Sequence, residues 1–227
     1  PGAGPGNFII FFARPDIGKT TNCVYEAAGY ASQGLKVVYF ANEEPAHRVY
    51  LRLVCSYLEM SQSDISLDIP TAQAAFSKIK ENVTMLDCVG MSIAEVDAYC
   101  AKHKPDVVFL DQLDKFTIGG SYSNNHEKLG DIYVYTREIA KRNNCLIWGI
   151  TQCSAEGEGM AEITYSMIAG SKTGKAAEAD LIMGLGHDPN LAGEYSRTIK
   201  ISKNKLPGGY HGSHTVTILP DTATFIG

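Results

Sequence analysis

The sequence predicts an α/β fold: a mostly parallel, wound sheet with helices on both faces, extended by antiparallel strands at its C-terminal end. Three observations carry that expectation. Unbroken apolar runs such as Phe8–Phe12 and Val107–Leu110 show no polar alternation, as in strands covered on both faces. Through the first two thirds of the chain these runs alternate with segments of helical spacing, the pattern of parallel strands joined by crossover helices. The last third switches to short strand-like runs punctuated by Asp188-Pro189-Asn190 and Pro207-Gly208-Gly209, which read as hairpin turns.

Taken in order, residues 7–12 give the first buried strand, and a helix follows from about Lys19 to about Gln33, stopped by Gly34. Val37–Phe40 form the second strand. A helix after the turn at 41–45 carries Val49, Leu51, Leu53, Val54, Tyr57 and Leu58. The stretch from about Met60 to Pro70 is polar and reads as a loop, with Ser61 to Asp64 as a cap, before a short helix from about Thr71 to Lys80. Val83–Leu86 is a short strand. Ser92 and Glu95 make a capping box for a helix that ends near Lys104, ahead of Pro105. Val107–Leu110 is a buried strand ending in Asp111. The loop Gly119–Asn125 leads to a long amphipathic helix, about His126–Asn143, and then to the strand Leu146–Ile150, which ends in Thr151-Gln152. Residues 153–174 read as a polar, Gly-containing loop, long enough to be functional or mobile. Leu181–Met183, Arg197–Ile201 and Thr215–Leu219 read as strands, and Phe225-Ile226 closes the chain.

Composition is that of one globular domain over 7–227, with Pro1–Gly6 a Pro/Gly linker remnant: 227 residues, 44% hydrophobic and 20% charged. No run is long enough to span a bilayer, and no basic-apolar leader is present, so a membrane location is not expected. The 6 cysteines are scattered without metal-ligand spacing, as buried or free thiols in a reducing cytoplasm would be. A net charge of −5 provides no general attraction for nucleic acid, so any such contact must come from a local loop or patch.

The chemistry concentrates at Ala13-Arg14-Pro15-Asp16-Ile17-Gly18-Lys19-Thr20, followed by Thr21. A buried strand, a small-residue loop and Gly-Lys-Thr opening a helix form a phosphate cradle. Backbone N–H groups curl around phosphate oxygens at the positive end of the helix. Lys19 would neutralise the outer phosphates of ATP, and the Thr20 hydroxyl would hold Mg²⁺. Ala13 stands where the usual pattern has Gly. Three further polar groups lie just past strand ends, where open α/β sheets bind ligands. Asp111 fits a second Mg²⁺-orienting carboxylate. Glu43 fits the group that polarises the attacking water, with Glu44 competing for the role. Gln152 can sense the γ-phosphate.

Together these residues resemble the RecA-like motor domain of DnaB-type replicative helicases, including the helicase half of phage primase-helicases, over nearly the whole chain. Ala13-Arg14-Pro15 to Gly18-Lys19-Thr20 is similar to that family's version of the loop, so Ala13 supports the match. Phe40-Ala41-Asn42-Glu43-Glu44-Pro45 resembles the segment whose first acidic residue is catalytic, which favours Glu43. Leu110-Asp111 is similar to the family's Walker B strand end, and Ile150-Thr151-Gln152 to its γ-phosphate sensor. His187 falls where relatives place an adenine-stacking Arg. Ile168 to Asp180 resembles the end of the DNA-binding loop, about one residue longer here, which implies DNA contacts from Gly170, Ser171, Lys172 and Lys175; Gly119–Asn125 is a second candidate. The loop's lack of obvious aromatics favours backbone tracking over base stacking. Where the family has an arginine finger after Lys-x, this chain has Lys203-x-Lys205, and a lysine lacks the planar fork. The resemblance implies an ATP-dependent 5′–3′ DNA helicase motor that hydrolyses ATP with Mg²⁺ at the subunit interfaces of a homo-oligomeric, hexameric ring on single-stranded DNA. Its partners would include a primase or helicase loader, in the cytoplasm of a bacterial cell or a phage-infected host. A RecA/RadA-like recombinase, a KaiC-like regulator and a non-hydrolysing scaffold are the alternatives.

Overall fold

Short uninterrupted apolar runs suit strands covered on both faces, and here they form the inner strands of one sheet. The computed structural model describes residues 2–170, 172–190 and 193–227. Six parallel strands, β1 (Phe8–Ala13), β2 (Val37–Ala41), β3 (Val83–Asp87), β4 (Val107–Asp111), β5 (Leu146–Gln152) and β6 (Leu181–Gly186), are continued by the antiparallel β7 (Ser196–Asn204), β8 (Gly212–Leu219) and β9 (Thr224–Ile226). The nine-stranded sheet runs β3-β2-β4-β5-β1-β6-β7-β8-β9.

Side chains of β1 alternate between two cores. Ile9, Phe11 and Ala13 face one, with α1 (Lys19–Ser32), α2 (Ala46–Leu58) and α4 (Ile69–Lys80). Phe8, Ile10 and Phe12 face the other, with α5 (Ile93–His103), α6 (Asn125–Asn143) and α7 (Lys172–Glu178). Asp180 fastens the start of β1: its Oδ2 accepts from the Phe8 amide at 2.9 Å and from Arg137 of α6.

Two stretches differ from expectation. The supposed loop after Met60 contains α3 (Gln62–Leu67), which buries no residue and is held by a capping box between Ser61 and Asp64. The expected short helix therefore starts earlier, at Ile69, capped by Asp68 with Pro70 in its first turn. The polar stretch 153–174 is also not one open loop. It makes two single 3₁₀ turns, at Ala155–Gly157 and Tyr165–Met167, and its end is already α7. Its returning half is tied to the end of β5, with Ser154 N donating to Met167 O at 2.7 Å and Ala169 N to Gln152 O at 2.9 Å.

Candidate nucleotide site

Strand order decides what meets at the carboxyl edge. Register pairs Ala41 with Asp111, Asp111 with Ile150 and Ala13 with Gln152, so the ends of β2, β4, β5 and β1 lie side by side. The loop after β1 opens there on a cavity of about 460 Å³ lined by Arg14, Lys19, Thr20, Glu43 and Gln152 among others.

The loop's shape is built from left-handed backbone at Asp16 (φ 62°) and Gly18 (φ 105°). At Gly18 a side chain is doubly excluded, because a Cβ would also stand 2.6 Å from Ile218 Cδ1. Gly18 leaves α1 with no side-chain cap and no acidic residue in its first turn. By contrast α5 and α6 are capped by Ser92 and Asn124 and place Glu95 and Glu127 in that turn. The N-terminus of α1 thus keeps its orphan N–H donors and positive dipole end for an anion.

Lys19 is 7% exposed, with Nζ 3.0 Å from Glu43 Oε2 and 3.6 Å from Asp111 Oδ1. Burial works against its charge, but Asp111 and then Glu43 outweigh it and the pKa stands above the ordinary lysine value. Thr20 Oγ1 donates to Asp111 Oδ2 at 3.1 Å, and the Tyr39 hydroxyl donates to the same oxygen at 2.6 Å. Asp111 Oδ1 is buried without a hydrogen-bond partner, as are the amide nitrogens of Asn42 and Gln112 beside it. A buried carboxylate oxygen with unused lone pairs, next to a threonine hydroxyl, fits Mg²⁺. Glu44, the rival to Glu43, is occupied elsewhere. Arg52 grips it with two bonds of 3.0 Å, and this pairing holds the carboxyl below its usual range.

On the other side of the loop, His187 lines a cavity of about 220 Å³ with Arg14, Pro15, Ile17 and Gly186. Its Nδ1 sits 2.9 Å from Ser196 O and 3.2 Å from Arg197 Nη1. Arg197 was not singled out from sequence; it braces the loop by donating to Ile17 O at 2.8 Å.

The expected DNA-binding residues divide. Gly170 has φ 78° and lies two residues ahead of α7; Ser171 lies outside the described residues, and so does the side chain of Lys172. Lys175 is corrected: it is not a loop lysine but wholly buried, donating to Asp114 Oδ1 at 2.8 Å, Asp114 Oδ2 at 2.7 Å and Ala169 O at 2.8 Å. Its charge is consumed inside the fold. Asp114, also missed, takes Tyr133 OH at 2.8 Å and Thr151 Oγ1 at 2.6 Å as well. The stretch also carries an aromatic after all, Tyr165, which is 46% exposed. Gly119–Asn125 is an exposed loop leading into α6.

Lys203 and Lys205 do not reach this site within the chain. Lys203 Nζ donates to the carbonyls of Ala176 and, at 3.1 Å, Ala177, while Lys205 Nζ lies 3.4 Å from Ala177 O. They sit on the C-terminal carbonyls of α7, where cations suit the dipole.

A family model described as the DnaB-like helicase C terminal domain matches residues 1–219. One solved structure, of an ATPase domain, is 18% identical with a TM-score of 0.87, the match covering 99% of this chain and 86% of that one. A DnaB-like replicative helicase, described with its interactions with primase, is 17% identical with a TM-score of 0.84, covering 98% of this chain. The chain spans 57% of that helicase. No curated protein matches.

Proposed function

The chain belongs to the family of DnaB-like helicase C-terminal domains, and from that premise we propose that it is the ATP-driven 5′–3′ motor of a cytoplasmic replicative helicase ring. The observation that carries the reading is the convergence of Lys19, Thr20, Glu43 and Asp111 on the uncapped N-terminus of α1. ATP would place its β- and γ-phosphates against those N–H groups, with Ala13 to Thr21 wrapped around them and the base toward His187 and Pro15.

In this reading Lys19 exchanges Glu43 and Asp111 for phosphate oxygens. Thr20 and Asp111 would hold Mg²⁺, whose charge would offset that developing on the phosphate oxygens. Glu43, released from Lys19, orients water for in-line attack and takes its proton. Gln152 stands at the end of β5 and lines the cavity that would take the γ-phosphate, and its backbone carbonyl accepts from Ala169 N. Loss of the phosphate would therefore pull on the returning half of 153–170 and, through it, on the single-stranded DNA held near Gly170, Ser171 and Lys172. Tyr165 can add base stacking to that grip. Lys203 or Lys205 would complete the site of a neighbouring subunit in a hexameric ring by leaving the α7 carbonyls. A primase or loader is the expected partner protein.

The test is ATP hydrolysis and strand separation by the full-length protein, with electron microscopy on single-stranded DNA. Closed rings, DNA-stimulated hydrolysis, and at least a ~10²-fold loss in Lys19→Ala are expected. Hydrolysis indifferent to DNA, or open filaments, would contradict the proposal.

A further inference from the structure

A second polar cavity, of about 350 Å³, opens between the C-terminal ends of α1 and α2. At 1.5 Å per residue along α1, it lies roughly 10–20 Å from Lys19, toward the opposite edge of the sheet. Tyr25, Glu26 and Tyr30 of α1 and Ser56, Tyr57 and Glu59 of α2 and its cap line it.

Its electrostatics are unbalanced. The helices α4, α5 and α6 each place basic residues in the last turn: Lys78 and Lys80, Lys102 and His103, Lys141 and Arg142. α1 and α2 place none there. Two helix ends without a basic residue therefore meet at one cavity. Neutral donors meet the last α1 carbonyls, Ser32 Oγ and Gln33 Nε2 on Gly29 O at 2.8 and 3.0 Å and Asn82 Nδ2 on Ala31 O at 3.0 Å, and Glu26 and Glu59 add two carboxylates. Neither forms an ion pair among the described residues. Burial pushes the Glu26 carboxyl up, with no cation opposing it. Ser56 is 5% exposed, and its Oγ has no hydrogen-bond partner, although a helical serine ordinarily turns back to a carbonyl one turn earlier.

The walls are aromatic and already fixed. Tyr25 packs on Phe225, Tyr57 on Phe76 and Tyr30 on Phe109, with ring centroids 5.9, 5.9 and 6.4 Å apart. Flat rings, carboxylates and an idle hydroxyl suit a planar cation that stacks and donates in several directions at once. That is a guanidinium rather than an ammonium. A bound metal is disfavoured, since among the described residues no three ligating side chains cluster. Tyr25 (38% exposed) and the exposed Glu59 stand at the rim, so a side chain still attached to its backbone can enter.

We infer that this cavity receives the guanidinium of an arginine presented by a partner protein. It is a docking point distinct from the nucleotide site, and leaving it without a cation costs the free domain stability. N-acetyl-arginine-methylamide is the probe, followed by backbone NMR of the chain, with spermidine and the norleucine analogue in parallel. The arginine probe should shift signals at 25–33 and 56–59, the norleucine analogue should not, and spermidine should bind more weakly. Glu26→Gln should weaken arginine binding at least ~10-fold and Ser56→Ala less, whereas the distant Glu138→Gln should change nothing. Without any probe, Glu26→Gln should raise Tm, because an uncompensated carboxylate is removed. If Glu26→Gln does not fold, Glu59→Gln carries the binding arm. Shifts elsewhere, tighter binding of spermidine, equal loss in Glu138→Gln, or a lowered Tm in a folded Glu26→Gln would overturn the inference.

Discussion

Glu43 and Glu44 stand side by side after β2, but only Glu43 faces Lys19, while Arg52 engages both oxygens of Glu44. Gly18→Ala sets a left-handed backbone against a Cβ and should cost about 1–3 kcal/mol in urea unfolding and weaken nucleotide binding. Lys203 carries a pH signature. Burial, and then Lys205, lower its pKa to about 8 from the ordinary 10.5. The fold disfavours its protonated form, so the domain gains stability as pH rises from about 8 toward 10.5. Urea unfolding of the parent should show this gain between about pH 8 and 10.5 and Lys203→Met should not; equal profiles would contradict the burial of Lys203 as its cause. Residues that end apolar runs, such as Asp111 and Gln152, could be singled out from the chain alone because the run fixes their place at the carboxyl edge. Asp114 and Arg197 could not. Each matters through a partner distant in sequence, Lys175 for one and Ile17 for the other.

Among the elements, α7 is the least expected, and it is tied to the sheet through an ion pair. Its Lys175 is buried against Asp114, just past β4, and Asp114 also holds Thr151 of β5. One carboxylate thus joins the strand ends flanking Asp111 and Gln152 to the helix that follows Gly170. Asp114→Asn leaves a buried ammonium without its counter-charge and should cost about 3–5 kcal/mol in urea unfolding. Asp114→Leu combined with Lys175→Met should recover much of that loss while uncoupling ATPase from DNA stimulation. Additive losses in the double variant would show that the pair acts only as two separate contacts. Neither α3 nor α7 shows the periodicity that reveals a helix. α3 buries nothing and rests on its capping box, and α7 reads Lys-Thr-Gly-Lys-Ala-Ala-Glu, whose only long side chains are charged. The capping box at Ser92 and Glu95, by contrast, placed the start of α5.

At the scale of the molecule, the alternation of strands and helices and the hairpin-rich end were readable because each is a local pattern. The spatial order of the strands was not, since pairing β1 between β5 and β6 is decided by contacts far apart in the chain. That order is what brings the ends of β2, β4 and β5 to the phosphate loop. It also leaves Lys203 and Lys205, at the end of β7, against the carbonyls of α7 and away from their own chain's site, which is the reason to expect a second subunit. Mixing Lys19→Ala chains with chains carrying both Lys203→Met and Lys205→Met should restore part of the ATPase that each lacks alone. No recovery would remove Lys203 and Lys205 as the groups that act across the subunit boundary. The most direct measurement is ATP turnover with and without single-stranded DNA, in the parent and in Glu43→Gln, with nucleotide binding followed alongside. The expected result is DNA-stimulated turnover in the parent and a loss of ~10²-fold or more in the variant at unchanged nucleotide affinity. Full turnover by Glu43→Gln, with the loss falling instead on Glu44→Gln, would contradict the account.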